Sequence, residues 1–231
     1  MTKTYTVADL HGRYDLLMKA LDLCVAHSEG KSATFVQTGD FIDRGPQARE
    51  IIQQLRQPTY KNLNVVVVRG NHEDIMRQAV DNPSLLSWWV GNGGGSTLYS
   101  YGLSGDDVWG LMHGEPTNTT FESDLAWLGT LPYWYEDKHR IFVHAGLDED
   151  KALKEQNVEY VSWIRSDRTS DGGYRGKHMV HGHMQYQDGP ILLANRSNFD
   201  TFAWRHGRLA IGVFDDDTPG GPVEVLWAVQ D

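Results

Sequence analysis

The sequence is poor in cysteine: a single one, Cys24, stands among 231 residues. No internal disulfide is possible, and a reducing cytoplasm is the compartment this composition fits best. Positive charge is also scarce. Lys and Arg number 21 against 31 Asp and Glu, for a formal net charge of -10. That balance excludes broad electrostatic attraction to nucleic acid or anionic membrane, while leaving room for a local positive pocket. Long apolar runs are missing, and none approaches the roughly 20 residues that cross a bilayer. No basic stretch followed by an apolar one opens the chain, so no secretory leader is expected. There is no internal repeat and no low-complexity tract. What the chain has in quantity is bulk. With 40% hydrophobic residues, eight tryptophans and ten tyrosines, it can fill a core and line clefts with large rings. Its length fits one domain spanning 1–231.

The first eighty residues alternate between two periodicities. Thr4-Tyr5-Thr6-Val7-Ala8 reads as a strand and runs into Asp9-Leu10-His11-Gly12. Leu17, Ala20, Leu21 and Cys24 then recur at helical spacing. Ala33-Thr34-Phe35-Val36 is a second strand, leading to Gly39-Asp40-Phe41-Ile42-Asp43-Arg44-Gly45. A helix is expected from Pro46, with Ala48, Ile51, Ile52 and Leu55 as its stripe. Asn64-Val65-Val66-Val67-Val68 is an unbroken run of the kind that suits a strand buried on both faces of a parallel sheet. It ends at Arg69-Gly70-Asn71-His72-Glu73. Right-handed βαβ crossovers would bring the polar clusters starting at 9, 40 and 71 to one sheet edge. Ligands of open α/β sheets bind at that edge.

Residues 81–132 differ. They are rich in glycine, tryptophan and polar residues, with helical pieces expected near 84–90, 95–101 and 121–130. This reads as an insertion over the active edge, a cap. Its Gly91-Asn92-Gly93-Gly94-Gly95 run is read as a flexible turn, because no strand precedes it as a dinucleotide loop requires. Strands resume at Arg140-Ile141-Phe142-Val143 before His144-Ala145-Gly146, and at His178-Met179-Val180 before His181-Gly182-His183. Between them, 147–177 is loop-rich around Trp163-Ile164-Arg165. Three further strands are expected at 190–194, 208–214 and 223–229, with a solvated turn at Asp215–Gly221.

Asp9, His11, Asp40, Asn71, His144 and His183 all follow strand candidates. Taken singly, each would be a helix cap or a surface group. Together they offer carboxylate, imidazole and amide and no thiolate, a set suited to Mn, Fe or Zn at two adjacent ions. Asp40 is the natural bridging anion between two cations. An arginine four residues on, Arg44, can hold an anion beside them.

Asp9-Leu10-His11-Gly12, Gly39–Gly45 and Gly70-Asn71-His72-Glu73 resemble the three signature motifs of the PPP-type metallophosphatases. His144-Ala145-Gly146 and Gly182-His183 extend the resemblance over most of the chain, and Trp89 to Gly102 is similar to bacterial members. The resemblance implies a calcineurin-like α/β fold, a mixed β-sandwich flanked by helices. It implies that Asp9, His11 and Asp40 hold one divalent ion and Asp40, Asn71, His144 and His183 a second, with Mn expected and Fe or Zn as alternatives. Asp43 would orient His72, the general acid, while Arg44, Arg69 and Arg165 would bind phosphate oxygens. The chain departs from the family at Ala8, where glycine is usual, at Ala48, where serine is frequent, and at Ala145, where eukaryotic members carry glycine. His181 competes with His183 for the last ligand position, and His183 is preferred because it follows glycine directly.

The function implied is a Ser/Thr protein phosphatase, with broad activity on small esters. A hydroxide bridging two cations about 3.5–4 Å apart would attack phosphorus in line, and His72 would protonate the departing alkoxide. The partner expected is a phosphorylated protein or a small phosphate ester, with no nucleic acid and no membrane. A dinucleoside polyphosphate hydrolase is the alternative enzyme, disfavoured by Asp43-Arg44 and by Asn71-His72-Glu73. A phosphate-binding module is the non-enzymatic alternative, disfavoured by the complete ligand set.

Overall fold

The computed structural model describes residues 2–80, 82–113, 115 and 118–231. The expected insertion begins on Asp81 and includes Gly114, Pro116 and Thr117, which lie outside the described residues. Ten strands form two five-stranded sheets among the described residues. The first sheet runs in the order β10-β9-β1-β2-β3. In it β1 (Lys3–Val7), β2 (Ala33–Gln37) and β3 (Leu63–Val67) are parallel, registered Thr4 to Thr34 and Ala33 to Leu63. Antiparallel β9 (Arg208–Asp215) and β10 (Glu224–Val229) complete it. The β3 expectation needs correction. The strand lies at the sheet edge, with Asn64 exposed and Val65 and Val66 half-buried, and no further strand pairs with its outer side among the described residues.

The second sheet runs β4-β5-β6-β8-β7. Here β5 (Arg140–Val143), β6 (His178–His181) and β8 (Arg196–Asn198) are parallel, and short β4 (Trp134–Glu136) and β7 (Ile191–Leu192) are antiparallel edges. β8 escapes a periodicity search because Arg196, Ser197 and Asn198 are polar, yet all three are buried. Their partners explain this. Arg196 Nε donates to His181, the Ser197 hydroxyl is 2.8 Å from His178 Nε2, and Asn198 Nδ2 donates to the Met184 carbonyl.

Alternation along the strands builds three layers. Tyr5, Val7 and Phe35 face outward beneath α1 (Tyr14–His27), α2 (Ala48–Arg56) and α3 (Asn71–Val80). Val36, Phe142, Val180, Ala210 and Phe214 face inward and fill the space between the sheets. The Phe142 and Phe214 rings meet edge-on at 5.9 Å. Ile141, Val143 and Met179 face the far side, against Val161 of α8 (Val158–Trp163). At the far end of the sandwich the wholly buried Arg140 donates to the Asp215, Thr218 and Gly220 carbonyls and pins the turn before β10.

The stretch after α3 is helical: α4 (Pro83–Trp89), a kinked segment Val90–Gly94, α5 (Gly95–Ser100), α6 (Gly105–Met112) and α7 (Thr119–Leu128). α6 lacks a long apolar stripe, and its start is fixed by a Ser104–Asp107 capping box. A last short helix, α9 (Ala203–His206), precedes β9. No helix among the described residues is long and apolar enough to cross a membrane.

Candidate metal centre and active-site cleft

The loops that follow β1, β2, β3, β5 and β6 converge where the parallel strands of both sheets end. Their backbone is unusual. Of nine non-glycine residues with positive φ among those described, six are Asp9, His11, Asp40, Asp43, Arg44 and His183. Such conformations cost of order 1–3 kcal/mol each and persist only where the surroundings enforce them. Nothing in residue type or spacing signals this strain. Close approach adds to it: a Cβ on Gly70 would stand 2.3 Å from Asp40 Oδ1.

Asp40 is the centre of the cluster. His11 Nε2 lies 3.7 Å and His72 Nε2 3.9 Å from its Oδ2, and His144 Nε2 lies 3.4 Å from its Oδ1. His144 Nε2 is also 2.9 Å from Asn71 Oδ1 and 3.1 Å from His183 Nδ1. Two groups could each hold an ion: His11, Asp40 and His72, and Asp40, His144 and His183. Asp9 stands just behind, its Oδ1 accepting the His183 amide N–H at 3.0 Å. The rings are oriented from outside. His11 Nδ1 donates to the Ile42 carbonyl and His144 Nδ1 to the Thr38 carbonyl, so both Nε2 lone pairs face the cluster.

The electrostatics fit a cation. Burial, then the neighbouring His72, holds His11 neutral, and burial likewise lowers His144. Burial and His144 bring His183 down to about 3. Burial, followed by the charges of Asp200 and Asp40, pushes the Asp9 carboxyl well up. Burial opposes the charge on Asp40 too, but the attraction of His144, His72, His11 and His183 in their protonated forms outweighs it and lowers that pKa. Neutral imidazoles and crowded carboxyls whose lone pairs converge are what divalent ions would stabilise.

His72 differs from the other histidines. Burial lowers its pKa, but Asp40 and the Asp43 hydrogen bond outweigh that and raise it. Its Nδ1 lies 2.6 Å from Asp43 Oδ2. Arg44 spans the two rings, Nη1 at 2.8 Å from His11 Nε2 and Nη2 at 3.1 Å from His72 Nε2, with its guanidinium over Trp204. An open cleft is lined by Arg44, His72, His183 and Arg165, with Trp88 and Trp163 among its walls. Arg69 stands apart from those two arginines. It donates to the Leu131 carbonyl, pairs with Asp74 at 3.3 Å and stacks on Tyr133. His181 lies behind the site, accepting from Arg196.

Four residues went unassigned in the sequence. Glu73 accepts four backbone N–H groups, from Asp40, Phe41, Ile42 and Gly70. Its place in the third motif was the only available signal. Asp200 is buried against Asp9. Trp89 and Thr97 both hydrogen-bond Asp43. Contacts across such sequence distances leave no trace in periodicity.

The family model for calcineurin-like phosphoesterases matches residues 2–204. The chain belongs to that family. It is a metallophosphoesterase with a His/Asp site for divalent ions. Over 218 residues, 89% of this chain and 90% of the relative, it is 26% identical to Serine/threonine-protein phosphatase 2 of Salmonella typhimurium. Shorter matches reach 34% identity over 90 residues of Serine/threonine-protein phosphatase 1 of the same organism and 32% over 89 residues of a yeast zinc-dependent endopolyphosphatase. Those two matches span only 38% and 26% of the relatives' lengths. Among solved structures, a putative diadenosine tetraphosphatase superposes with a TM-score of 0.61 at 20% identity, covering 98% of this chain and 93% of that one. A cold-active protein tyrosine phosphatase gives 0.61 at 17%, covering 98% and 76%.

Proposed function

We propose that this phosphoesterase is a two-metal phosphomonoesterase acting on phosphorylated serine and threonine, with broad activity on small esters. What supports the reading is one juxtaposition: the Asp43–His72 pair, 2.6 Å apart, beside a carboxylate ringed by neutral histidines. In this reading Asp9, His11, Asp40, Asn71, His144 and His183 hold two divalent ions, Mn in preference to Fe or Zn. The ions, when bound, supply an activated water and neutralise phosphoryl charge. Arg44 and Arg165, both lining the cleft, orient the phosphoryl oxygens. Arg69, turned toward Leu131 and Asp74, joins them only if its side chain rearranges. Asp43 holds the His72 ring and favours its protonated form, and His72 delivers that proton to the leaving alkoxide. Poor leaving groups such as seryl and threonyl oxygens need it most.

The test has two arms. Purified protein should carry about two divalent ions per chain and lose activity on chelation. Mn-reconstituted enzyme should then hydrolyse a phosphoserine peptide in preference to a dinucleoside tetraphosphate. Full activity in chelator with no bound metal ends the two-metal reading, and preference for the dinucleotide moves the substrate class to nucleotides.

A further inference from the structure

We propose that Trp89 and Thr97 are positioning residues for His72, acting through Asp43; the functional part of this claim rests on His72 being the leaving-group acid. Asp43 is fully buried, and its only ion pair among the described residues is with His72. A carboxylate with one partner can rotate about its terminal torsion, which has broad wells. Here it cannot. Trp89 Nε1 donates to Oδ2 at 2.8 Å, on the oxygen that also takes His72 Nδ1. The Thr97 hydroxyl donates to Oδ1 at 2.6 Å. The same hydroxyl oxygen accepts the Asp43 amide N–H at 2.9 Å. Both carboxylate oxygens and the amide of a residue at φ 68 are thus held from one side.

That side is the α4–α5 segment, and its glycines make the approach possible. A Cβ on Gly94 would stand 2.4 Å from the Trp89 indole, so only glycine lets α5 begin against that ring. Gly93, at φ 113, turns its carbonyl to the Arg44 N–H at 3.1 Å. The glycine run is therefore a packed joint rather than the flexible turn expected from the sequence. Trp89 and Thr97 are 1% and 0% exposed and touch neither cleft nor solvent. Their side-chain hydrogen bonds reach the chemistry through Asp43.

Trp89→Phe keeps the ring and removes the donor. Thr97→Val keeps the shape and removes the hydroxyl, and Thr97→Ser restores it. Each Mn-loaded variant is assayed on an alkyl phosphate and on p-nitrophenyl phosphate, with His72→Asn alongside. Proton NMR of the same variants loaded with diamagnetic Zn follows the His72 Nδ1–H resonance, identified by its loss in His72→Asn. Trp89→Phe and Thr97→Val should depress alkyl ester kcat/KM about tenfold more than aryl ester kcat/KM, within the range of general-acid effects. Both should shift the resonance, and Thr97→Ser should restore ratio and resonance. Equal losses on the two esters with an unmoved resonance would overturn the proposal. If His72→Asn itself shows no leaving-group dependence, the acid reading falls and the resonance alone decides positioning. If Trp89→Phe fails to fold, the Val and Ser pair at 97 carries the test.

Discussion

Glu73 Oε2 accepts the Asp40 amide N–H at 2.9 Å, so the start of α3 dictates the backbone of the loop after β2. The same carboxylate takes the Gly70, Phe41 and Ile42 amides. Glu73→Gln would turn an NH₂ group toward some of these donors and leave them buried without acceptors. Each such loss costs about 1–3 kcal/mol. We expect the variant to unfold at lower denaturant, by about 2–4 kcal/mol, and to bind less metal. An unchanged unfolding midpoint with full metal content would show that the loop stands without Glu73.

The proposed proton-donor role of His72 is separable from metal binding. p-Nitrophenolate departs with little help, whereas an alkoxide needs a proton. His72→Asn should depress alkyl ester hydrolysis by about 100-fold or more, and aryl ester hydrolysis far less, with both ions retained. Asp43→Asn should act in the same direction more weakly. A uniform drop on both esters assigns His72 to phosphate or nucleophile positioning.

His183 and His181 are two residues apart but face different neighbours. His183 Nδ1 meets His144 Nε2, while His181 is engaged by Arg196. His183→Ala should remove the second ion and lower turnover by orders of magnitude. His181→Ala should cost about 10–100-fold, as changes behind a metal site do. Metal analysis in which His181→Ala loses more ion than His183→Ala would reverse the assignment.

His181 also sets an acid limit on stability. It is 2% exposed, and its Nε2 already accepts the Arg196 Nε–H. Burial first, then the Arg196 charge, pushes its pKa well below 6.5. The unfolded chain takes up a proton below pH 6.5 that the folded chain refuses, so stability rises with pH and falls on acidification. The loss is about 1.4 kcal/mol per pH unit for each such group, until the folded pKa is reached. Buried His144 and half-buried His183 add in the same sense in a chelated sample. His181→Gln, which can still accept from Arg196, should show a shallower dependence of urea midpoint on pH. An unchanged slope would remove His181 from the acid response.

The βαβ units were legible because their strands and helices differ in period and end on glycine-flanked polar motifs. Asp9, Asp40, Asn71 and their neighbours could be placed at one edge on that ground alone. The sandwich partner was only half legible, since β8 is polar and β4 is three residues long. β3 misled because a run of β-branched residues does not say how many neighbours the strand has. Around the site, the motif residues converge on Asp40, but their supports do not announce themselves. Trp89 and Thr97 lie 46 and 54 residues from Asp43 in the chain, and no local pattern encodes that meeting. Arg69 shows the converse: a motif arginine whose side chain here faces Asp74 and Tyr133.

The Asp40 cluster draws its side chains from both sheets, between positions 9 and 183, which has a consequence for biosynthesis. Domains are made from the N-terminus at about 5–20 residues per second. The first sheet's parallel core can form early, but His144 and His183 reach Asp40 only once β5 and β6 have left the ribosome and docked. β9, which pairs with β1, comes later still. The proposed second ion could therefore load only late in the life of the nascent chain, and a prematurely terminated product ending before β6 would retain the first three motifs yet carry no complete centre.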